Sequence, residues 1–476
     1  MIAKRVLSNS QELPDKIAII SNGISCTYKE LRNKIENATT ILNSLPLENG
    51  EPLAIVMPNC IEFIEFLFAS ELTNHCAVLL SDKFKSVELN YHINNSGVRY
   101  VISSNGNDFT FNECGFDIVR KFDSFIIWIQ NREKNEIVYR TEDFICQVTS
   151  GTNGIAKGIV RTQSAVCLEI EETIQCTNLC RPDIFLTIPP ICHSYGLIAG
   201  TLLPLYIGAT LILIEKFIAS NIISNIVSNQ ITVLFAVPFM YQMICDRFIN
   251  NGELASLRLC FSAGAPIKEE IFNKFHMISG IYITQDYGST ETGVMCINNE
   301  SKKYPKSVGK PVGKREFRII SDDGTDCQFG KQGHFITKSP CDTARYLYPE
   351  ESNSQFSNGW LNLGDYGSID SEGYLYVKGR IANFINVAGM KVDPSEVENV
   401  IMEIPGIKEV VALGKAANPY GEVVKVFIVA SDNVSKLDII EYCRNKISHY
   451  KIPKMIEFVE SIPKSPTGKI QRKYLV

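Results

Sequence analysis

The chain of 476 residues is poor in the features that mark several protein classes. It holds two tryptophans and six histidines, and no histidine cluster follows any cysteine. No Cys-x-x-Cys pair occurs, and the nearest two cysteines are Cys176 and Cys180. The cysteines number fifteen, odd and scattered, which argues against a zinc site and against a disulfide framework. They read instead as reduced, mostly buried thiols of a cytoplasmic protein. Basic charge is not in excess: 47 Lys+Arg stand against 52 Asp+Glu, a net of −5, so no nucleic-acid partner is expected. The first residues, Met1-Ile2-Ala3-Lys4-Arg5, run into polar ones and lack the apolar stretch of a signal peptide.

Long uncharged runs are scarce too. The exception lies between Asp183 and Glu215, where no Asp, Glu, Lys or Arg occurs. Gly196, Gly200, Pro204 and Gly208 interrupt it, and the strand-like Thr210 to Ile214 closes it. A buried helix followed by a buried parallel strand explains this segment better than a membrane span, and no span is expected.

What is present is a large apolar content, 45% hydrophobic and 10% aromatic, enough for a sizeable core and for two or three domains. In the first third, helix signals at Thr27 to Ser44 and Ile61 to Leu72 alternate with strand signals. The strands are read at Leu53 to Met57, Ala77 to Leu80, Tyr100 to Ile102 and Phe125 to Trp128. The middle continues with strands at Thr210 to Ile214, Thr232 to Val237, Leu257 to Phe261 and Ile281 to Thr284. Such alternation predicts a mainly parallel sheet covered by helices on both faces. Closely spaced glycines over 305–380 predict a small antiparallel β region. Beyond it, helices at Glu396 to Glu403 and Leu437 to Ile447 flank strands at Glu409 to Leu413 and Val423 to Ala430. The expected class is therefore α/β. A large N-terminal domain, 1–379, holds doubly covered mainly parallel sheets plus the β region. A small α+β domain, 380–476, follows.

Chemistry concentrates in a few places. Val148-Thr-Ser-Gly-Thr-Asn-Gly-Ile-Ala-Lys-Gly158 packs glycines, hydroxyls and a lysine together. Small residues let backbone N–H groups approach an oxyanion, so this is phosphate-cradle chemistry, with a plain surface loop as the alternative. It lacks the Gly-Lys-Ser/Thr ending of a Walker loop, and no Gly-x-Gly-x-x-Gly fingerprint occurs. Asp286-Tyr-Gly-Ser-Thr-Glu-Thr-Gly293 stands straight after an expected strand, where a carboxylate among hydroxyls could hold Mg²⁺. A capped turn would look similar. Gly364-Asp365, the block from Gly379-Arg380 to Glu396, and Thr467-Gly-Lys469 complete the set.

These five motifs, in this order and spacing, resemble the adenylate-forming enzymes: acyl-CoA synthetases, aryl-acid and amino-acid adenylation domains, and firefly-type luciferases. The resemblance runs from about residue 15 to the end. It implies activation of a small-molecule carboxylic acid by ATP, with Mg²⁺, to acyl-AMP and pyrophosphate. The acyl group then passes to the thiol of coenzyme A or of a carrier-protein phosphopantetheine, which makes an acyl or aryl carrier protein a further expected partner.

By the same resemblance, Lys469 would reach the α-phosphate and the substrate carboxylate, Thr290 would donate to phosphate or carboxylate, and Glu291 would hold the metal. Thr149, Ser150, Gly151, Thr152, Asn153, Gly154 and Lys157 would embrace the outer phosphates. Gly264, Ala265, Pro266, Asp286, Tyr287 and Gly288 would surround the adenine, with Gly288 also near the pocket wall. Asp365, with Arg380 beside it, would take the ribose. His193, Ser194 and Phe235 would line the acyl pocket, and Gly389 the thiol channel. Asn383 would be the hinge on which a mobile C-terminal domain turns.

The sequence departs from the family pattern at several points. Asn153 and Ala156 stand where Thr or Ser and Pro are usual, and the hinge is Asn. The chain is short for the family, which implies a trimmed N-terminal region. Asn153 and Ala156 motivate an alternative, a non-catalytic nucleotide- or acyl-binding relative. Amino-acid-activating relatives place an Asp just after the aromatic residue of the pocket segment. His193-Ser194-Tyr195 offers none, so an aryl or fatty acid is favoured over an amino acid.

Overall fold

The computed structural model describes residues 1–106, 108–131, 139–150, 156–247, 252–343, 345–349, 353, 355–380, 383–387, 390–417, 422–431, 434–465 and 470–475. A helix that is apolar all round must be buried on every side. Ile61–Leu72 comes close, with Glu65 and Glu71 buried against Lys34 and the amides of Ile2 and Ala3, and Phe63, Ile64, Phe66, Leu67 and Phe68 are inaccessible to solvent. It lies in a core to which two sheets contribute, with Leu53, Ile55 and Leu79 from one and Ile19, Leu211 and Phe235 from the other. The Tyr28–Ser44 helix packs against it. That helix begins where expected because Thr27 and Glu30 form a reciprocal capping box.

By packing, the chain divides into two units, 1–316 with 338–356, and 317–337 with 357–476. The first contains a nine-stranded and an eight-stranded sheet. Ile17–Ser21, Thr210–Leu213, Ile184–Thr187, Val233–Ala236, Leu259–Ser262 and Thr284–Ser289 run parallel in the nine-stranded sheet. Ile24–Thr27 closes one edge; Gly293–Ile297 and Lys310–Pro311 close the other, all antiparallel. The outer face is covered by Ala219–Asn229, Pro238–Asp246 and Glu269–Ser279. The eight-stranded sheet keeps Asp143–Ser150, Ala77–Leu80, Leu53–Val56 and Tyr100–Ser104 parallel.

The uncharged stretch folds as a wide helix, Tyr195–Leu202, a short α-helix, Leu203–Ile207, and the strand Thr210–Leu213. A Cβ on Gly200 would sit 2.6 Å from Thr187 Cγ2, so only glycine lets this helix lie so close to the strand beneath. Among the described residues no helix is long and apolar enough to cross a membrane.

Three expectations are corrected. Phe125–Ile129 joins the sheet antiparallel, paired with Tyr100–Ser104 and Asp117–Lys121, so strand–helix alternation ends earlier than its spacing implied. The strand expected at Ile281 to Thr284 is instead Thr284–Ser289. Ile281 and Tyr282 pack against the outer core ahead of it; Asp286 to Ser289 of the motif lie in the strand, and Thr290 to Thr292 follow it. The 305–380 region is not one body. Lys310–Pro311 and Arg345–Tyr348 join the two large sheets, and the remainder forms a five-stranded sheet in the second unit. That unit also holds Ile407–Ala416, Glu422–Ala430 and Met455–Phe458, with helices Pro394–Met402 and Lys436–Lys446. Residue 380 ends the last strand of the five-stranded sheet, which is why the sequence changes texture there.

The helix Ile2–Glu12 was not anticipated. Its first amides, Ile2 N and Ala3 N, donate to the buried Glu71 carboxylate at 2.7 Å each.

Candidate active site

Ligands in open parallel sheets bind beyond the carboxyl ends of the strands. At that end of the nine-stranded sheet, Thr284–Ser289 turns back into Gly293–Ile297 through Thr290, Glu291 and Thr292. The turn closes on itself, with Ser289 N donating to Thr292 Oγ1 at 3.3 Å. Every carbonyl of these three residues is then held from outside. Arg161 Nη1 donates to Thr290 O at 3.5 Å, Thr343 N to Glu291 O at 2.6 Å, and Arg315 Nη2 to Thr292 O at 3.0 Å.

Both arginines are themselves paired. Arg161 is fully buried and donates through Nη2 to Glu169 Oε2 at 2.9 Å and to Cys341 O at 2.8 Å. Arg315 pairs with Asp342 at 2.7 Å. Glu169 also accepts from Val294 N at 2.9 Å, and a Cβ on Gly293 (φ +66°) would collide with its carboxylate. Glycine is therefore required at 293 both by conformation and by this carboxylate.

Glu291 is 8% exposed. Its Oε1 lies 3.0 Å from Tyr346 Oη, whose one hydrogen is shared with Gln355 Oε1 at 2.5 Å, and its Oε2 accepts no hydrogen bond among the described residues. Lys157 Nζ sits 4.7 Å from the centre of the same Tyr346 ring, a cation–π distance. Tyr346 thus joins two residues that the motifs proposed separately. Lys157 is paired in register with Thr149 across the hairpin of Asp143–Ser150 and Ala156–Thr162.

Gly264, Ala265 and Pro266 follow Leu259–Ser262, and Gly264 takes φ +84°. Phe235 is core, 2% exposed, stacked on Phe261 at 4.8 Å and met edge-on by Tyr195 at 5.7 Å. His193 and Ser194 stand half-buried just before the wide helix. Burial, and then the charge of Lys83, lowers the His193 pKa. Burial pushes Asp286 up to about 8.

In the second unit, Asp365 and Arg380 are register partners, with Arg380 Nε donating to Asp365 Oδ1 at 3.3 Å. Asn383 is half-buried and precedes Ile385–Val387. Gly151, Thr152, Asn153, Gly154, Gly389 and Lys469 lie outside the described residues, and so does the side chain of Ser150.

The sequence model of the AMP-binding enzyme family matches residues 7–347, and that of its C-terminal domain matches 396–469. The chain belongs to the AMP-binding enzyme family. This AMP-binding enzyme is 28% identical to a long-chain-fatty-acid–CoA ligase of Mycobacterium tuberculosis, over 96% of this chain and 93% of the relative. It is also 28% identical to a 2-succinylbenzoate–CoA ligase of Oceanobacillus iheyensis, over 97% and 96%. Among solved structures, the o-succinylbenzoate-CoA synthetase of Bacillus subtilis with its acyl-adenylate intermediate superimposes at a TM-score of 0.87. Sequence identity there is 25%, over 99% of this chain and 97% of that one.

Arg161, Arg315, Thr343 and Tyr346 were missed by sequence reasoning. One signal existed: an arginine between Val160 and Thr162 in an apolar strand needs a buried acid, and Glu169 lies one helix away.

Two outcomes follow for this AMP-binding enzyme. Arg161→Met leaves the Glu169 carboxylate buried without its partner and should cost roughly 3–5 kcal/mol in denaturant unfolding. Asp286 binds its proton more tightly folded than unfolded, so that contribution is whole below its ordinary value of 3.8 and is lost as pH rises towards 8. The melting temperature of Asp286→Asn should therefore gain on the native chain steadily from about pH 5 to about pH 8.

Proposed function

We propose that the chain is an ATP-dependent acid–thiol ligase. A carboxylate attacks the α-phosphorus of ATP, pyrophosphate leaves, and a thiol then displaces AMP from the acyl-adenylate. The observation that carries this reading is the contact chain Lys157–Tyr346–Glu291. It gathers a cation and a carboxylate around one tyrosine, which supports their serving one polyphosphate together.

Negative charge gathers on both reactants in the first step, so the site must supply positive charge and oriented donors. Lys157, Thr149 and Ser150 to Gly154 take the outer phosphates. Thr290 donates to phosphate or carboxylate, and Lys469 neutralises the transferring phosphorus. Glu291 fits Mg²⁺, which prefers oxygen and shares its shell with phosphate, because one carboxylate oxygen is held by Tyr346 and the other is available. The metal, when bound, offsets phosphate charge. Gly264 to Pro266 with Tyr287 take the adenine, and Asp365 with Arg380 takes the ribose hydroxyls. His193, Ser194 and the Phe235 region serve the acyl group. Asn383 is the hinge about which the segment from 380 onward turns, bringing Gly389 to the thiol path.

Coenzyme A is the favoured acceptor, because the curated relatives carry the name of CoA ligases. A carrier-protein phosphopantetheine is the second. The favoured acids are aryl or fatty, as in the names of those relatives.

The test is acid-dependent ATP–pyrophosphate exchange over a panel of aryl, short-chain and long-chain acids, with coenzyme A present or absent in the second step. Lys469→Ala should lower exchange by at least about 100-fold. Exchange at the native rate in that variant would overturn the reading.

A further inference from the structure

A side chain that must meet a reacting atom needs a fixed backbone, because a displacement of about 1 Å can cost roughly 100-fold in rate. In the second unit, the residues on either side of the span 465–469 are held in register. Lys464 and Ile470 form an antiparallel bridge, and Gln471 N donates to Pro463 O at 2.9 Å. Ile470 packs against Val411, Phe427, Ile462 and Leu475, so one side of this stem rests on an apolar cluster.

Charge ties the stem further. Lys464 Nζ lies 2.5 Å from Glu409 Oε2, but those side chains are 41% and 37% exposed, and pairs that wet contribute little. Arg472 meets Glu398 in a drier place, with Nη2 donating to Oε1 at 3.2 Å and the Glu398 side chain 18% exposed. Glu398 projects from the helix Pro394–Met402, and the same oxygen accepts from Ala412 N at 2.9 Å. Ala412 belongs to Ile407–Ala416, the edge strand of its three-stranded sheet. One carboxylate thus covers an edge amide, which would otherwise be an unpaired donor, and grips the stem. Arg472 Nε is buried and has no hydrogen-bond partner among the described residues, so the guanidinium is held through Glu398.

Resting on the acid-activation reading, in which Lys469 serves the transferring phosphorus, we propose that Arg472 and Glu398 are a positioning pair for Lys469. They act through the lysine three residues before Arg472, not on the nucleotide. The bridge and the apolar cluster keep the stem in place when the pair is broken; what is lost is the fixed aim of the residue beside Ile470.

The experiment follows acid-dependent ATP–pyrophosphate exchange by the full chain carrying Arg472→Met, Arg472→Lys or Glu398→Gln, each alone and combined with Lys469→Ala. Arg472→Met should lower kcat by roughly 10–100-fold and change the KM for ATP by less than about threefold. Arg472→Lys should recover part of that loss, because a cation again faces Glu398. In the Lys469→Ala background, Arg472→Met should add almost nothing. Glu398→Gln should show the same non-additivity, and it reports even if Arg472→Met fails to fold. Equal slowing of both backgrounds would mark a general structural role and overturn the proposal, as would exchange at the native rate in both Arg472→Met and Glu398→Gln. If Lys469→Ala itself exchanges at the native rate, the ligase reading falls first and takes this one with it.

Discussion

A carboxylate can remain at the end of a strand, nearly out of water, only if its surroundings fix both it and the backbone that carries it. Glu291 meets that constraint through four contacts from distant parts of the chain. Arg161, Arg315 and Thr343 hold the three carbonyls of its turn, and Tyr346 holds one of its oxygens. The arginines are in turn neutralised by Glu169 and Asp342. Buried charge is costly, so such a network persists where position matters more than bulk stability. Here the position secured is that of Glu291, in the turn that follows the strand Thr284–Ser289.

The same constraint explains features that look unrelated in one dimension. Arg345–Tyr348 comes back across almost two hundred residues to pair with Ala156–Thr162, and that return delivers Tyr346 to both Glu291 and Lys157. Gly293 is glycine because the Glu169 carboxylate occupies the space a side chain would need. The helix Gln163–Cys176, which carries Glu169 and Glu172, packs against Gly293–Ile297, and Glu172 accepts from Lys314 N beside the second arginine.

Much of the fold was legible in the sequence. Ile61–Leu72 and Ala77–Leu80 fall where periodicity put them, since a fully buried helix and a central parallel strand leave long apolar runs. The antiparallel arrival of Phe125–Ile129 was not legible, because a strand's composition does not encode its direction. The Asp286 motif looked like a loop because glycine and hydroxyls dominate it, yet Asp286 to Gly288 lie within a strand whose partner is antiparallel. Among the candidate site residues, the motifs singled out Glu291, Lys157 and Asp365 through local spacing. Tyr346 and Thr343 have no local signature, and Arg161 shows only its need for a nearby acid; their roles come from contacts across 55, 52 and 129 positions.

The central claim is that Tyr346 acts through Glu291. A double-mutant cycle on acid-dependent pyrophosphate release, using Tyr346→Phe, Glu291→Gln and the pair, tests it most directly. The account predicts that Tyr346→Phe slows the native chain by roughly 10–100-fold and adds almost nothing once Glu291 is glutamine. If the tyrosine substitution slows both backgrounds by the same factor, or neither, the account is contradicted.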